Sequence, residues 1–190
     1  LLTILFVKSE LMLAFIRDSN DSQSVIDVVD QLYFKLGTDV FTTLIPILLG
    51  DNGSEFSNPT ALEFDNDKKR RTHVFYCDPS SPHQKGSAER NHEFIRLFIP
   101  KGKSMDAFMQ EDISLMMNHI NSYSRESLGN KTPYEVFAFL YGDDILKRLG
   151  CTMIPANEVN LKPSIFGKKR GSQYGSNISE GTEIYLSVGN

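Results

Sequence analysis

The sequence predicts an α/β domain in which a sheet is covered by helices, and three observations carry that prediction. Two apolar, β-favouring runs, residues 1 to 7 and 10 to 17, stand at the amino end with only Lys8-Ser9 breaking them, which predicts an antiparallel hairpin. Apolar residues at Val25, Val28, Val29, Leu32, Tyr33 and Leu36 then recur at helical spacing, with Gly37 placed to end the helix. Finally, short apolar runs at Ile47 to Gly50 and His73 to Cys77 alternate with helical stretches, the pattern of strands packed against helices.

Each further element follows from local chemistry. Pro46 opens the Ile47-Leu48-Leu49-Gly50 run, which stops at Asp51 and suits a short buried strand. A short helical stretch is expected near Asn58 to Phe64, then a charged loop from Asp65 to Arg71, and a turn at Pro79-Ser80-Ser81-Pro82 follows the second strand. Phe94, Ile95, Leu97 and Phe98 define a helix from Ser87 to Phe98 that ends before Pro100. Two more helices are predicted, at Met105 to Tyr123 and at Pro133 to Tyr141, where Thr132 is placed to cap and Pro133 fits the first turn. Beyond Gly167 the composition shifts to Gly, Ser, Asn and Lys, so residues 167 to 190 read as a loose tail. Glu183 to Val188 is the one stretch of that tail that alternates like a strand.

With 190 residues, 40% of them hydrophobic and 23% charged, the chain can bury one good core and reads as one domain plus a tail. A formal charge of -4 argues against a surface built wholly for nucleic acid, so any DNA contact must come from local basic clusters. Cys77 and Cys151 lack the paired spacing of a zinc site and read as reduced, structural thiols. The apolar opening is far shorter than the roughly 20 residues that span a bilayer, and it lacks the flanks of a signal peptide.

The chemistry lies in two acids. Asp51 ends a buried strand, and Glu89 stands 38 positions later near the start of a helix, a placement that lets both converge at one edge of a sheet. Carboxylate oxygens are hard ligands suited to Mg²⁺ or Mn²⁺, and a pair of such ions about 3.5–4 Å apart stabilises both oxygens of a phosphodiester displacement. Stability alone accounts for either acid by itself: Asp51-Asn52-Gly53 is a common turn sequence, and a glutamate in a first helical turn is favoured by the macrodipole. Their conjunction makes the case.

Four segments together resemble a known family. Leu49-Gly50-Asp51-Asn52-Gly53-Ser54-Glu55-Phe56, Ser81 to Asn91 (SPHQKGSAERN), Ile95-Arg96 with Phe98-Ile99-Pro100-Lys101-Gly102, and Asn130 to Phe137 (NKTPYEVF) are similar, in this order, to the integrase-core region of bacterial transposases of the insertion-sequence-thirty family. The resemblance covers residues 1 to 166. It implies an RNase H-like fold, with residues 1–150 as the integrase catalytic core, 151–166 as a family-like extension and 167–190 as the tail. It also implies a DDE-type site in which Asp51 matches the second acid and Glu89 the third. The activity implied is metal-dependent DNA cleavage and strand transfer, with two Mg²⁺ or Mn²⁺ ions in the complete site. The expected partners are transposon-end and target DNA, in a homo-oligomer when active, within the bacterial cytoplasm at the nucleoid.

Arg96 lies seven positions after Glu89, where related integrases carry a basic residue, and shares its helix face. Spacing alone fits a solvated surface arginine as well. Lys85, Arg90, Asn91 and Lys101 complete the expected DNA-contacting set, and the runs Lys68 to Arg71 and Lys101 to Lys103 are further candidates for neutralising phosphates. His83 and Gln84 stand before the Glu89 helix, within reach of DNA or simply solvated. His73, His92 and His119 show no metal-ligand spacing. Asp51 and Glu89 are expected to share one pocket.

The resemblance departs at the amino end. The family's first acid lies on a strand just before the hairpin, between the runs at 1 to 7 and 47 to 50, and this chain shows neither that acid nor that strand. Asp18 and Asp21 come too late to replace it. Refolding of Glu183 to Val188 into the vacant slot is conceivable, but the expectation is that it stays out. The alternative function is a catalytically inactive remnant that at most binds DNA or dimerises.

Overall fold

In the computed structural model the described residues are 1–51, 53–78, 86–167 and 184–189. They form an α/β fold, one mixed five-stranded sheet with helices on both faces. β1 (Leu2–Phe6) and β2 (Leu11–Phe15) make the expected antiparallel hairpin, with Phe6 opposite Leu11 at its closed end and Leu2 opposite Phe15 at its open end. β3 (Ile47–Gly50) and β4 (His73–Tyr76) run parallel. A parallel pair needs a crossover, and this one carries the short α3 (Pro59–Glu63).

α1 (Ser22–Leu36) starts where Asp21 Oδ1 accepts the Ser24 amide at 2.8 Å, and it stops where Gly37 takes φ 75° and returns its amide to the Tyr33 carbonyl. α2 (Thr38–Leu44) follows at once and buries Phe41 and Leu44. α4 (Gly86–Phe98) and α5 (Gln110–Asn121) cover the other face. α6 (Pro133–Tyr141) opens with the predicted cap: Thr132 Oγ1 accepts the Glu135 amide at 3.1 Å while the Glu135 carboxylate accepts the Thr132 amide at 2.8 Å. α7 (Asp143–Leu149) follows and buries Leu146. Among the described residues no helix is long and apolar enough to cross a membrane.

The period-two geometry of a strand sorts the side chains between two cores. Leu2, Ile4 and Phe6 of β1 and Leu11 and Leu13 of β2 join the cluster under α1, α2, α6 and α7. Leu5 of β1 and Met12 and Ala14 of β2 join the opposite cluster, with Ile95 and Phe98 of α4 and Ile113, Met116 and Ile120 of α5. β2 is an outer strand, and its outward backbone does not face water. Buried Asn121 accepts the Met12 amide at 3.0 Å and donates to the Met12 carbonyl at 2.8 Å, while Gln110 does the same for the Ile16 amide and the Ala14 carbonyl, both at 2.9 Å.

β5 (Ile184–Gly189) corrects the expectation that this segment stays outside the sheet. The strand order is β2-β1-β5-β3-β4, with β5 in the middle, parallel to β1 and antiparallel to β3. The physical reason is the alternation noted in the sequence. Leu186 and Val188 are 0% and 3% exposed and face the same core as Ile4, Phe6 and Leu48, and the strand gives the inner backbone groups of β1 and β3 their partners. β5 runs parallel to β1, a pairing that no tight hairpin could make. Residues 168–183 lie outside the described residues.

Candidate active site

Asp51 follows the last residue of β3. In the registers, Gly50 lies opposite Leu186 and Leu186 opposite Ile4; one residue further on, Asp51 falls in a row with Tyr185 and Thr3. Side chains in one such row share a face. Leu48 belongs to the α1 core, so alternation puts Asp51 on the other face, the one that α4 covers. Two strand spacings of about 4.8 Å put roughly 10 Å of sheet between Thr3 and Asp51.

Thr3 also marks the position of α4. Its hydroxyl is 2.8 Å from Nε2 of His92, and both residues are buried, at 2% and 3% exposure. Glu89 stands one helical turn before His92, about 5 Å along the axis, in the exposed first turn of α4. Asp51 thus lies on the side of the sheet that α4 covers, and Glu89 lies on that helix. Asp51 is half-buried, and its Oδ1 accepts the Gly53 amide at 3.1 Å, the turn expected of this sequence. Tyr76 donates its hydroxyl to the Phe56 carbonyl at 2.5 Å, which ties the loop after Asp51 to β4.

The expected DNA-contacting residues divide. Arg90 and Lys101 are exposed, and Arg96 is partly exposed with Nη1 bonded to Glu93. Asn91 is turned inward at 3% exposure, where its Oδ1 accepts from Arg125 Nη2 at 3.5 Å. Lys85, His83, Gln84 and the Pro79 to Pro82 turn lie outside the described residues. In the run Lys68 to Arg71 the two lysines are exposed and the two arginines are engaged within the fold. Arg71 is 3% exposed and binds the Asp30 carboxylate at 2.5 Å and the carbonyls of Ala61 and Leu62, while Arg70 pairs with Glu63 at 2.7 Å and lies over the Phe64 ring.

Several residues that matter here carry no signal in the sequence. His92 docks α4 on β1, although its spacing suggested nothing. Arg125, 6% exposed, stacks its guanidinium 3.5 Å over Phe94, and burial pushes it down to about 10. His119 is buried against the Asn160 amide, and burial holds it below the usual histidine range. Both cysteines are buried and neither forms a disulfide, and burial raises the Cys151 thiol to about 12. Two carboxylates are a chemically suitable start for a hard divalent cation. Among the described residues, though, no three His, Cys, Asp or Glu side chains gather to hold a metal ion.

No family model matches the chain. Over 94 residues it is 31% identical to the transposase for insertion sequence element IS4351 of Bacteroides fragilis, covering 50% of this chain and 28% of that protein. Over 63 residues it is 35% identical to transposase InsI for insertion sequence element IS30A of Escherichia coli, covering 33% and 16% respectively. The transposase for IS1086 of Cupriavidus metallidurans is 32% identical over 65 residues, covering 34% and 19%. The chain is similar over part of its length to transposases of bacterial insertion sequences, IS30A among them. It spans less than a third of the length of each of these relatives.

Proposed function

We propose that this chain is part of the catalytic core of an insertion-sequence transposase with an RNase H-like fold, acting on the phosphodiester backbone of DNA. The observation that supports the reading is the row Asp51–Tyr185–Thr3 with His92 bonded to Thr3, because it puts Asp51 on the side of the sheet covered by the helix that carries Glu89. Asp51 and Glu89 would hold Mg²⁺ or Mn²⁺, which when bound supplies Lewis acidity to the reacting phosphate. Arg90, Arg96 and Lys101 serve as cationic contacts to DNA phosphates around that site. Asn91 supports α4 from inside through Arg125 and is not assigned to DNA. The transposase relatives support DNA as the substrate.

The test is Mn²⁺ binding by electron paramagnetic resonance, together with Mn²⁺-dependent nicking of supercoiled DNA. Wild type is expected to take up Mn²⁺, and Asp51→Asn and Glu89→Gln are each expected to weaken that uptake about tenfold or more without loss of the folded state. Uptake unaltered by both substitutions would sink the assignment. DNA retention without metal-dependent nicking would identify an inactive remnant.

A further inference from the structure

Glu55 is a buried carboxylate with an unusual seat. It lies in a single 3₁₀ turn, Ser54–Phe56, at 5% exposure, four positions after Asp51. Its side chain folds back over Gly53: a Cβ built on that glycine would stand 2.3 Å from Glu55 Oε1, 2.5 Å from Cδ and 2.6 Å from Oε2. Gly53 has φ -67° and ψ 150°, a conformation open to any residue. The glycine is therefore required here by space, and what takes the space is the Glu55 carboxylate.

Burying a carboxylate costs several kcal/mol unless charge or hydrogen bonds compensate. Arg17 lies two residues past the end of β2, at the same end of the sheet as Leu2 and hence as Asp51, and its guanidinium feels the charge of Glu55. Arg17 donates to Ser24 Oγ at 3.0 Å and to Asn20 Oδ1 at 2.7 Å, and its buried Nε has no hydrogen-bond partner. Burial lowers the Arg17 guanidinium from its ordinary value, and the charges of Glu55 and Asp21 pull it back up. Core packing explains Phe56, the neighbour of Glu55, and leaves the glutamate unexplained.

We propose that Glu55 is a positioning residue for Asp51: packed against the bare Cα of Gly53, its carboxylate fixes the amide that Asp51 Oδ1 accepts, and so sets the orientation of the Asp51 carboxylate. This rests on the reading of Asp51 as a metal ligand. Glu55 acts through Gly53, and its negative charge also adds to the potential that draws a cation to that end of the sheet.

Two variants separate position from charge. Glu55→Gln keeps the shape and removes the charge. Gly53→Ala keeps the charge and displaces the carboxylate, and the clash is relieved by swinging the flexible end of Glu55 outward, so the fold survives. Two measurements are made on the full chain: Mn²⁺ affinity with the metal alone, and hydrogen exchange of the Gly53 amide by NMR. Gly53→Ala is expected to weaken Mn²⁺ binding about tenfold and to speed exchange of the residue-53 amide at unchanged global stability, whereas Glu55→Gln is expected to weaken Mn²⁺ binding by less and to leave that exchange as in the wild type. Wild-type Mn²⁺ affinity and wild-type residue-53 exchange in Gly53→Ala overturn the proposal. If the wild-type chain takes up no Mn²⁺, the metal-ligand reading of Asp51 fails by itself. The exchange data then decide whether Glu55 holds the turn, and unchanged exchange in Gly53→Ala ends the proposal.

Discussion

The position of β5 makes a quantitative claim that Leu186→Ala tests. Leu186 is 0% exposed, stands opposite Ile4 on one side and Gly50 on the other, and belongs to the cluster with Phe56 and Leu48. Truncating a buried leucine to alanine removes its transfer free energy and leaves a cavity whose walls relax only partly, at a cost of about 2–5 kcal/mol. Gly50, with no side chain, and the backbones of two neighbouring strands cannot close that cavity, so a value near 3 kcal/mol is expected. For a domain of this size each kcal/mol shifts Tm by about 2–4 °C, which gives a fall of roughly 6–12 °C in thermal unfolding followed by circular dichroism. Phe34→Ala is the control, since Phe34 is 89% exposed and its loss should move Tm by no more than about 2 °C. A Leu186→Ala protein that melts with the wild type would mean that residues 184–189 do not occupy the middle of the sheet, and the account of β5 would be wrong.

Three further outcomes follow from named contacts. Asn121→Ala strips β2 of two buried backbone partners at Met12 and should cost about 2–4 kcal/mol in urea unfolding; a cost under 1 kcal/mol would show that water covers that edge instead. Thr3→Val keeps the shape of the side chain and removes the contact to His92, so unfolding should be easier by about 1–3 kcal/mol; no change would mean that α4 is held by Ile95 and Phe98 alone. Acid should act in two stages. His119, held below its usual value by burial, is neutral in the fold, so stability is present above about pH 6.5 and begins to fall as the unfolded chain takes up that proton. Asp21, Asp65 and Glu135 are held below the carboxylate range chiefly by the amides of Ser24, Lys69 and Thr132 respectively. Their contribution is present above about pH 4 and is lost as pH falls through the lower folded values. A Tm that stays flat from pH 7 to 3 would refute both stages.

What could be read in the sequence depended on whether a signal was local. The hairpin, the α1 periodicity, the Thr132-Pro133 helix start and the strand ending at Asp51 all rest on neighbours within a few positions, and each reappears in the structure. α2 and α7 carry no side-chain N-cap, and seven residues give at most two turns in which a repeat can stand out, whereas the shorter α3 is marked by its Asn58-Pro59 start. β5 was visible as a strand but was assigned to the solvent, because its partners are about 140 to 180 positions away and pairing at that distance leaves no mark on the local pattern. The same limit governs the site. Strand-end and helix-start positions marked Asp51 and Glu89 as candidates, yet the side of the sheet that Asp51 faces is set by its row through β5 to Thr3, whose hydroxyl meets His92. Arg71 shows the cost of reading charge without that knowledge: the run Lys68 to Arg71 looks like a surface for phosphates, whereas Arg71 is folded under Tyr33 and held by Asp30 and two carbonyls. Of that run only Lys68, Lys69 and Arg70 stay exposed, and Arg70 is already paired with Glu63.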